Sequence, residues 1–309
     1  MHPGGLTVLL LAGIIGNVIG RLLSVLALAG VMLAGGHPLC ADGPAVSNGA
    51  VELAHKFTPG EVTRYKITQR LTGSSTVPGA TKPIPVDTEL SSTIRVRCIR
   101  SLENGAAEIG FETESGSLKI AGRPASSFPA SKEVRTVRVT PRGRIIETEQ
   151  EDGRYAGLRR FVMESGLIER IVILAALPER AVGVGDSWSA ETPLPLSLKG
   201  RLKLDSALKS TKQADGGMAA VIKQLQSTVT DQDSATDSAL PSLSQDGEVE
   251  LLFAIDGGRL LSAKGTIRST LVRPVKLPAG PGADAAPKPV NTVSTLMLNR
   301  KFTIELLSQ

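Results

Sequence analysis

Histidine, cysteine and aromatic residues are scarce in this sequence, and each shortage removes a class of chemistry. Of three histidines, His2 and His37 fall in an apolar N-terminal stretch, so the body of the chain keeps only His55. A Ser–His–Asp triad would have to recruit His55 from what reads as a flexible arm. Zinc sites of the usual kinds need several Cys or His ligands, and the only cysteines are Cys40 and Cys98. Triad hydrolysis and zinc catalysis are therefore set aside. Aromatics make up 3% of the chain, with one Trp and two Tyr. Binding of single-stranded nucleic acid by stacking needs exposed aromatics beside a basic groove. Here 35 Lys and Arg are interspersed among 30 Asp and Glu for a net +5, the mark of solvated faces. No nucleic-acid partner is expected, and no cofactor is implied.

What is present begins with hydrophobicity. Leu6 to Gly36 is almost wholly apolar, with Arg21 its only formal charge. Leu22 to Gly35 has the length of a signal-peptide core and runs to Leu39-Cys40-Ala41, just before Asp42-Gly43. Residues 1–41 are read as a cleaved signal that sends the protein to the periplasm or outside the cell. The alternatives are an anchor retained across a bilayer, lipidation of Cys40, or a true start nearer Arg21. Leu39 after Pro38 suits lipidation poorly. Membrane contact is expected only through this segment. Residues 42–309 then form one mostly β domain, large enough to need no disulfide staple. Cys98 is left as a single thiol, which an exported protein usually buries.

The body alternates with period two. Ile94, Val96 and Cys98 oppose Arg95 and Arg97. Leu198, Leu202 and Leu204 oppose Lys199, Arg201 and Lys203. Val249, Leu251, Phe253 and Ile255 repeat the pattern, as do Leu296, Leu298, Phe302, Ile304 and Leu306, where Arg300 breaks it. One wet and one buried face indicate antiparallel sheet. Glu103-Asn104-Gly105, Pro141-Arg142-Gly143, Asp215-Gly216-Gly217 and Asp256-Gly257-Gly258 supply the positive φ of tight hairpins. Gly60-Glu61 with Tyr65, and Gly185-Asp186 with Trp188, each lead into a strand whose aromatic residue is expected in the core. These features recur at similar offsets in residues 55–150 and 178–308, as a duplication or an ordinary meander would give. The segment 154–177 reads as a helical connector, apolar nearly all round from Leu167 to Leu177 and stopped by Pro178. Thr72 to Pro85, Ala121 to Ser131, Asp231 to Gln245 and Ala279 to Pro289 read as loops, the last mobile. Phe128 is expected to tuck back onto its own domain.

Few constellations carry chemistry. Glu112 and Glu114 share a strand face, at a spacing compatible with paired-acid glycoside chemistry, but an exposed strand face explains them as well. Asp231-Gln232-Asp233 lacks the glycine and distal Glu of a calcium loop. Gly183-Val184-Gly185-Asp186 precedes a strand, so it is a turn and not a phosphate cradle.

Leu177-Pro178 followed by Val184-Gly185-Asp186-Ser187-Trp188 resembles a motif of uncharacterised secreted bacterial proteins. The early Gly60-Glu61…Tyr65 strand and the Pro141-Arg142-Gly143 turn fit the same pattern. That resemblance implies a fold and no activity. More distantly, long antiparallel strands with a covering helix are similar to the open half-barrel of periplasmic lipoprotein carriers, an analogy of topology. The expected fold is a large curved antiparallel sheet with one central helical segment. The expected role is non-enzymatic: an envelope protein holding an apolar ligand between sheet and helix. The ligand-facing candidates are Leu158, Phe161, Leu167, Ile168, Ile171 and Leu174. The competing reading is a structural or interaction protein of the envelope with no ligand; its protein partners are unspecified.

Overall fold

Period-two alternation does produce sheet over almost all of the described chain. The structure, a computed structural model, describes residues 49–78, 80–130, 134–148, 176–193, 201–229, 242–276 and 291–307. The strands are β1 (Val62–Thr76), β2 (Ile84–Ser101), β3 (Ala107–Ile120), β4 (Ser126–Phe128), β5 (Arg135–Val139), β6 (Ile145–Thr148), β7 (Ser187–Pro193), β8 (Arg201–Ala214), β9 (Gly217–Val229), β10 (Ser242–Ala254), β11 (Arg259–Lys276) and β12 (Asn291–Leu307). They form one antiparallel sheet in the order β6-β5-β3-β2-β1-β12-β11-β10-β9-β8-β7, with β4 paired to β3. The chain thus starts in the middle, walks out to one edge, reappears at the other edge and walks back. β1 and β12 meet along Arg64↔Leu307 to Thr76↔Thr295. All four expected hairpin turns form, with Asn104, Gly105, Gly143, Gly216 and Gly258 at positive φ.

The sheet is strongly curled, as the hydrogen bonds of two crossing segments require. His55 N–H donates to Pro141 O, and the next residue, Lys56, donates to Gly258 O. Those acceptors sit on the β5–β6 and β10–β11 turns. In a flat sheet six strand steps would separate them by roughly 29 Å, whereas consecutive residues span only about 3.8 Å. The second segment starts where Leu177 N–H meets Arg142 O and ends where Gly185 N–H meets Leu208 O. Arg142 fastens both segments: its guanidinium donates to Leu53 O at 2.7 Å, to Glu52 Oε1 at 2.8 Å and to Glu179 O at 3.3 Å. An antiparallel bridge between Val51 and Val182 joins them directly. The turn end of the sheet is therefore drawn together, while its lateral edges, β6 and β7, stay unpaired with each other. Bulges at Cys98/Arg100 and Leu208/Ser210 add local twist.

The two faces differ in kind. The outer face is laced with ion pairs: Arg64 with Glu114, Arg95 with Glu112, Arg100 with Glu108, Lys223 with Glu248 and Lys264 with Glu250. The inner face carries the core. Its first row across the strands, at the drawn-in end, runs Ser92, Ile67, Ile304, Ala263, Leu251, Ile222 and Leu208. All of these are at most 5% exposed. Leu53, Leu177 and Val182 from the crossing segments cap that end together with Phe253 and Leu260, burying apolar area worth roughly 1.5–3 kcal/mol per side chain.

Gly60 and Gly185 hold the same place in the two halves. Gly60 N–H bonds Cys98 O and Cys98 N–H bonds Glu61 O; likewise Gly185 N–H bonds Leu208 O and Leu208 N–H bonds Asp186 O. Each acceptor strand bulges one step later. Tyr65 is buried and donates to Leu260 O at 3.1 Å. Trp188 is only half-buried against the core and donates to Ala176 O at 2.5 Å.

Several expectations need correction. Thr72–Thr76 and Ile84–Pro85 belong to β1 and β2, and Ser242–Gln245 belongs to β10, because paired neighbours override their loop-like composition. Ser126–Phe128 forms the short β4, whose Phe128 ring lies where a Cβ of Gly116 would be. The helical reading does not hold through Leu177: Ala176 has φ +92, and Leu177 N–H donates to Arg142 O across the chain. The rest of the connector, residues 154–175, lies outside the described residues, as do residues 1–41, Asp231-Gln232-Asp233 and Ala279 to Pro289. His55 is not on a loose arm. It is 7% exposed, stacked on Phe57 at 5.5 Å and edge-on to Phe253 at 5.4 Å.

Candidate functional site on the inner face

One row above the apolar floor, the inner face changes character. Register gives the second row as Leu118, Leu90, Gln69, Phe302, Gly265, Val249, Gln224, Ser206 and Trp188. The third is Thr88, Leu71, Arg300, Ile267, Gly247, Gln226, Leu204 and Ala190. Apolar positions persist, but glutamines and one arginine stand among them. Gly265 and Gly247 leave room for the Phe302 ring and the Ile267 side chain, which a Cβ at either glycine would meet at 3.0 and 2.8 Å.

The glutamines form a ladder. Gln245 donates to Gln226, Gln226 to Gln224, and Gln224 to Ser206 Oγ, each at 3.2 Å. Gln224, Gln226 and Ser206 are all buried. Such a chain satisfies its own polar groups and fixes the side chains of β8, β9 and β10 against one another.

On the other side of the row the groups are left over. Gln69 is 5% exposed, and its Nε2 has no hydrogen-bond partner among the described residues. Arg300, diagonal to Gln69, is partly buried between Leu71 and Ile267. Burial lowers its guanidinium from the usual range to about 10, and no carboxylate among the described residues offsets that. Arg300 therefore continues the inner face of β12; it does not break it.

A second hollow, of about 60 Å³, lies at the drawn-in end between His55, Tyr65, Cys98, Ile109 and the Glu61–Arg259 ion pair. It has room for a few waters at most. Burial and the nearby Glu61 push the Cys98 thiol upward, and burial pushes the Tyr65 phenol far upward. Both stay protonated at neutral pH, so neither is an activated nucleophile. Cys98 is a buried free thiol, as the strand pattern implied. A groove of about 230 Å³ on the outer face, near Lys212 and Glu305, includes the paired Glu250 and Lys264.

Leu158, Phe161, Leu167, Ile168, Ile171 and Leu174 lie outside the described residues. Glu112 and Glu114 do share the outer face, where Arg95 and Arg64 respectively neutralise them. Sequence reasoning passed over Gln69, Gln224, Gln226 and the inward placement of Arg300. Strict alternation through Tyr65-x-Ile67-x-Gln69-x-Leu71 and Leu298-x-Arg300-x-Phe302 would have found them. No protein-family model matches the chain, and no curated protein matches it either.

Proposed function

We propose that this chain is an exported binding protein that holds an apolar ligand against the inner face of its curled sheet, with no catalytic step of its own. The observation that carries this reading is the unequal cover of that face. A single sheet must bury its apolar side against a second layer. Among the described residues, Leu53, Leu177 and Val182 supply that layer at the drawn-in end, and Ala176 reaches Leu202 and Leu204 on β8. On the neighbouring β12 and β11, Leu298, Leu296 and Leu271 continue the apolar surface and stay partly exposed. Among the described residues the edge strands β6 and β7 do not pair with each other, and the side of the sheet is the route we assign to the ligand. The outer face, with its ion pairs, suits water.

Export rests on the apolar segment before Asp42, and an envelope location follows from it. The resemblance to secreted bacterial proteins and to half-barrel lipoprotein carriers points the same way. The test is titration of delipidated protein with a fluorescent fatty acyl probe, with circular dichroism confirming retained sheet. Saturable uptake at about one probe per chain is expected. Folded protein that takes up none would overturn the carrier reading in favour of a structural role.

A further inference from the structure

Electrostatics on the inner face narrow the ligand further, resting on the carrier reading above. Beyond the floor, the second and third rows hold no Asp or Glu at any position on β3, β2, β1, β12, β11, β10, β9, β8 or β7. The acidic residues of these strands point the other way: Asp87 and Glu89 on β2, Glu248 and Glu250 on β10, and Glu305 on β12 face outward, within ion-pairing distance of Arg70, Lys119, Lys223 or Lys264 where a partner is present. Against that background stand two donors. Arg300 offers the five N–H groups of a guanidinium, and buried Gln69 offers an Nε2 with no acceptor among the described residues. In-register strand partners place Gln69 opposite Phe302 and Arg300 opposite Leu71, so the two donors are diagonal neighbours on one face. Diagonal positions lie within reach of long side chains. Donors without acceptors, beside leucines, ask for an anion that arrives with a hydrocarbon tail.

We infer that Arg300 and Gln69 form the head-group subsite of this protein, binding the carboxylate or phosphate of a single-chain amphiphile whose tail lies along the partly exposed Leu298, Leu296 and Leu271. A planar guanidinium matches either anion through two parallel hydrogen bonds, and a charge-assisted bond in a water-poor setting is stronger than one in bulk. Orientation follows as well. The head group stops at Arg300 and Gln69 because the floor row below them is apolar and filled, so the tail must run away from the drawn-in end, along Leu298 and Leu296. The glutamine ladder, already satisfied within itself, stiffens the opposite wall and takes no part in charge recognition.

The experiment titrates the full chain with cis-parinaric acid and, separately, with its uncharged methyl ester. The acid is expected to bind at least about tenfold more tightly than the ester, the scale of one charge-assisted contact. Arg300→Met should bring the acid down to the level of the ester and leave the ester unchanged. Gln69→Leu should weaken the acid by a few fold. Displacement of bound parinaric acid by oleate or by lysophosphatidic acid then tells which head group fits, and uncharged monoolein should compete poorly. Equal affinity of wild type for acid and ester sinks the subsite while the carrier reading stands, as does an acid-to-ester ratio unchanged by Arg300→Met. No saturable binding of either probe sinks both. The wild-type ratio does not depend on any variant folding.

Discussion

The floor row of the inner face and the row containing Arg300 are two inward-facing rows apart, and they do opposite things. In the floor, Ile67, Ile304, Leu251, Ile222 and Leu208 meet one another and the crossing segments, and nothing polar intrudes except Ser92. Across the Arg300 row, the same strands present Leu71, Arg300, Ile267, Gly247 and Gln226. A sheet built only for stability would repeat the floor. Apolar replacements for buried charge are often neutral or stabilising, so polar groups held there are a cost that the floor does not bear. The difference separates the part of the sheet that holds the molecule together from the part to which we assign ligand recognition.

Substitutions should separate the rows in the same way. Phe253, fully buried beside His55 at the drawn-in end, belongs with the floor, and Phe253→Ala should cost about 3–5 kcal/mol in urea unfolding. A loss under about 1 kcal/mol would show that this end is looser than its packing. In the polar rows, Gln226→Leu removes the donor to Gln224 and the acceptor for Gln245. It should cost about 1–2 kcal/mol, the penalty for stranding buried polar neighbours. The smallest change should have the reverse sign. Arg300→Met in unliganded protein should raise stability by up to about 1 kcal/mol, because a partly buried cation is exchanged for a side chain that suits its neighbours. Clear destabilisation by Arg300→Met would show that the guanidinium is a structural tie and would merge the two rows into one kind.

How much of this was legible beforehand depended on the range of the interactions. Strands and hairpins are written locally: alternation in β2, β10 and β12 and the Asn-Gly and Asp-Gly turns placed them correctly. The long-range features were not. Ser74, Ser75 and Pro85 read as loop because their composition is that of a loop. They become strand only because β12 and β2 supply partners for them, Ser74 against Met297 and Ser75 against Leu296. His55 looked loosely held because its partners, Phe253 above all, lie far along the chain. Arg300 was visible as an interruption, yet its meaning depended on knowing which face was inside. The expectation for Trp188 was half right: it packs on the core, but Tyr65, its counterpart in the first half, is the one fully enclosed.

The pairing of β1 with β12 also governs the order in which the sheet comes into being. Each flank is a meander of neighbours in sequence, the kind of structure whose contacts close quickly. The centre is the reverse, since its two strands come from opposite ends of the described chain. Loop closure over that span is slow, and while synthesis proceeds β1 carries one open edge with no partner yet made. An exposed edge of fifteen residues is a template for pairing with another chain. Its own composition guards against this, with Arg64, Lys66 and Arg70 along the waiting strand. The middle of the sheet is the last place to close, and the chain spends most of its making with that seam open.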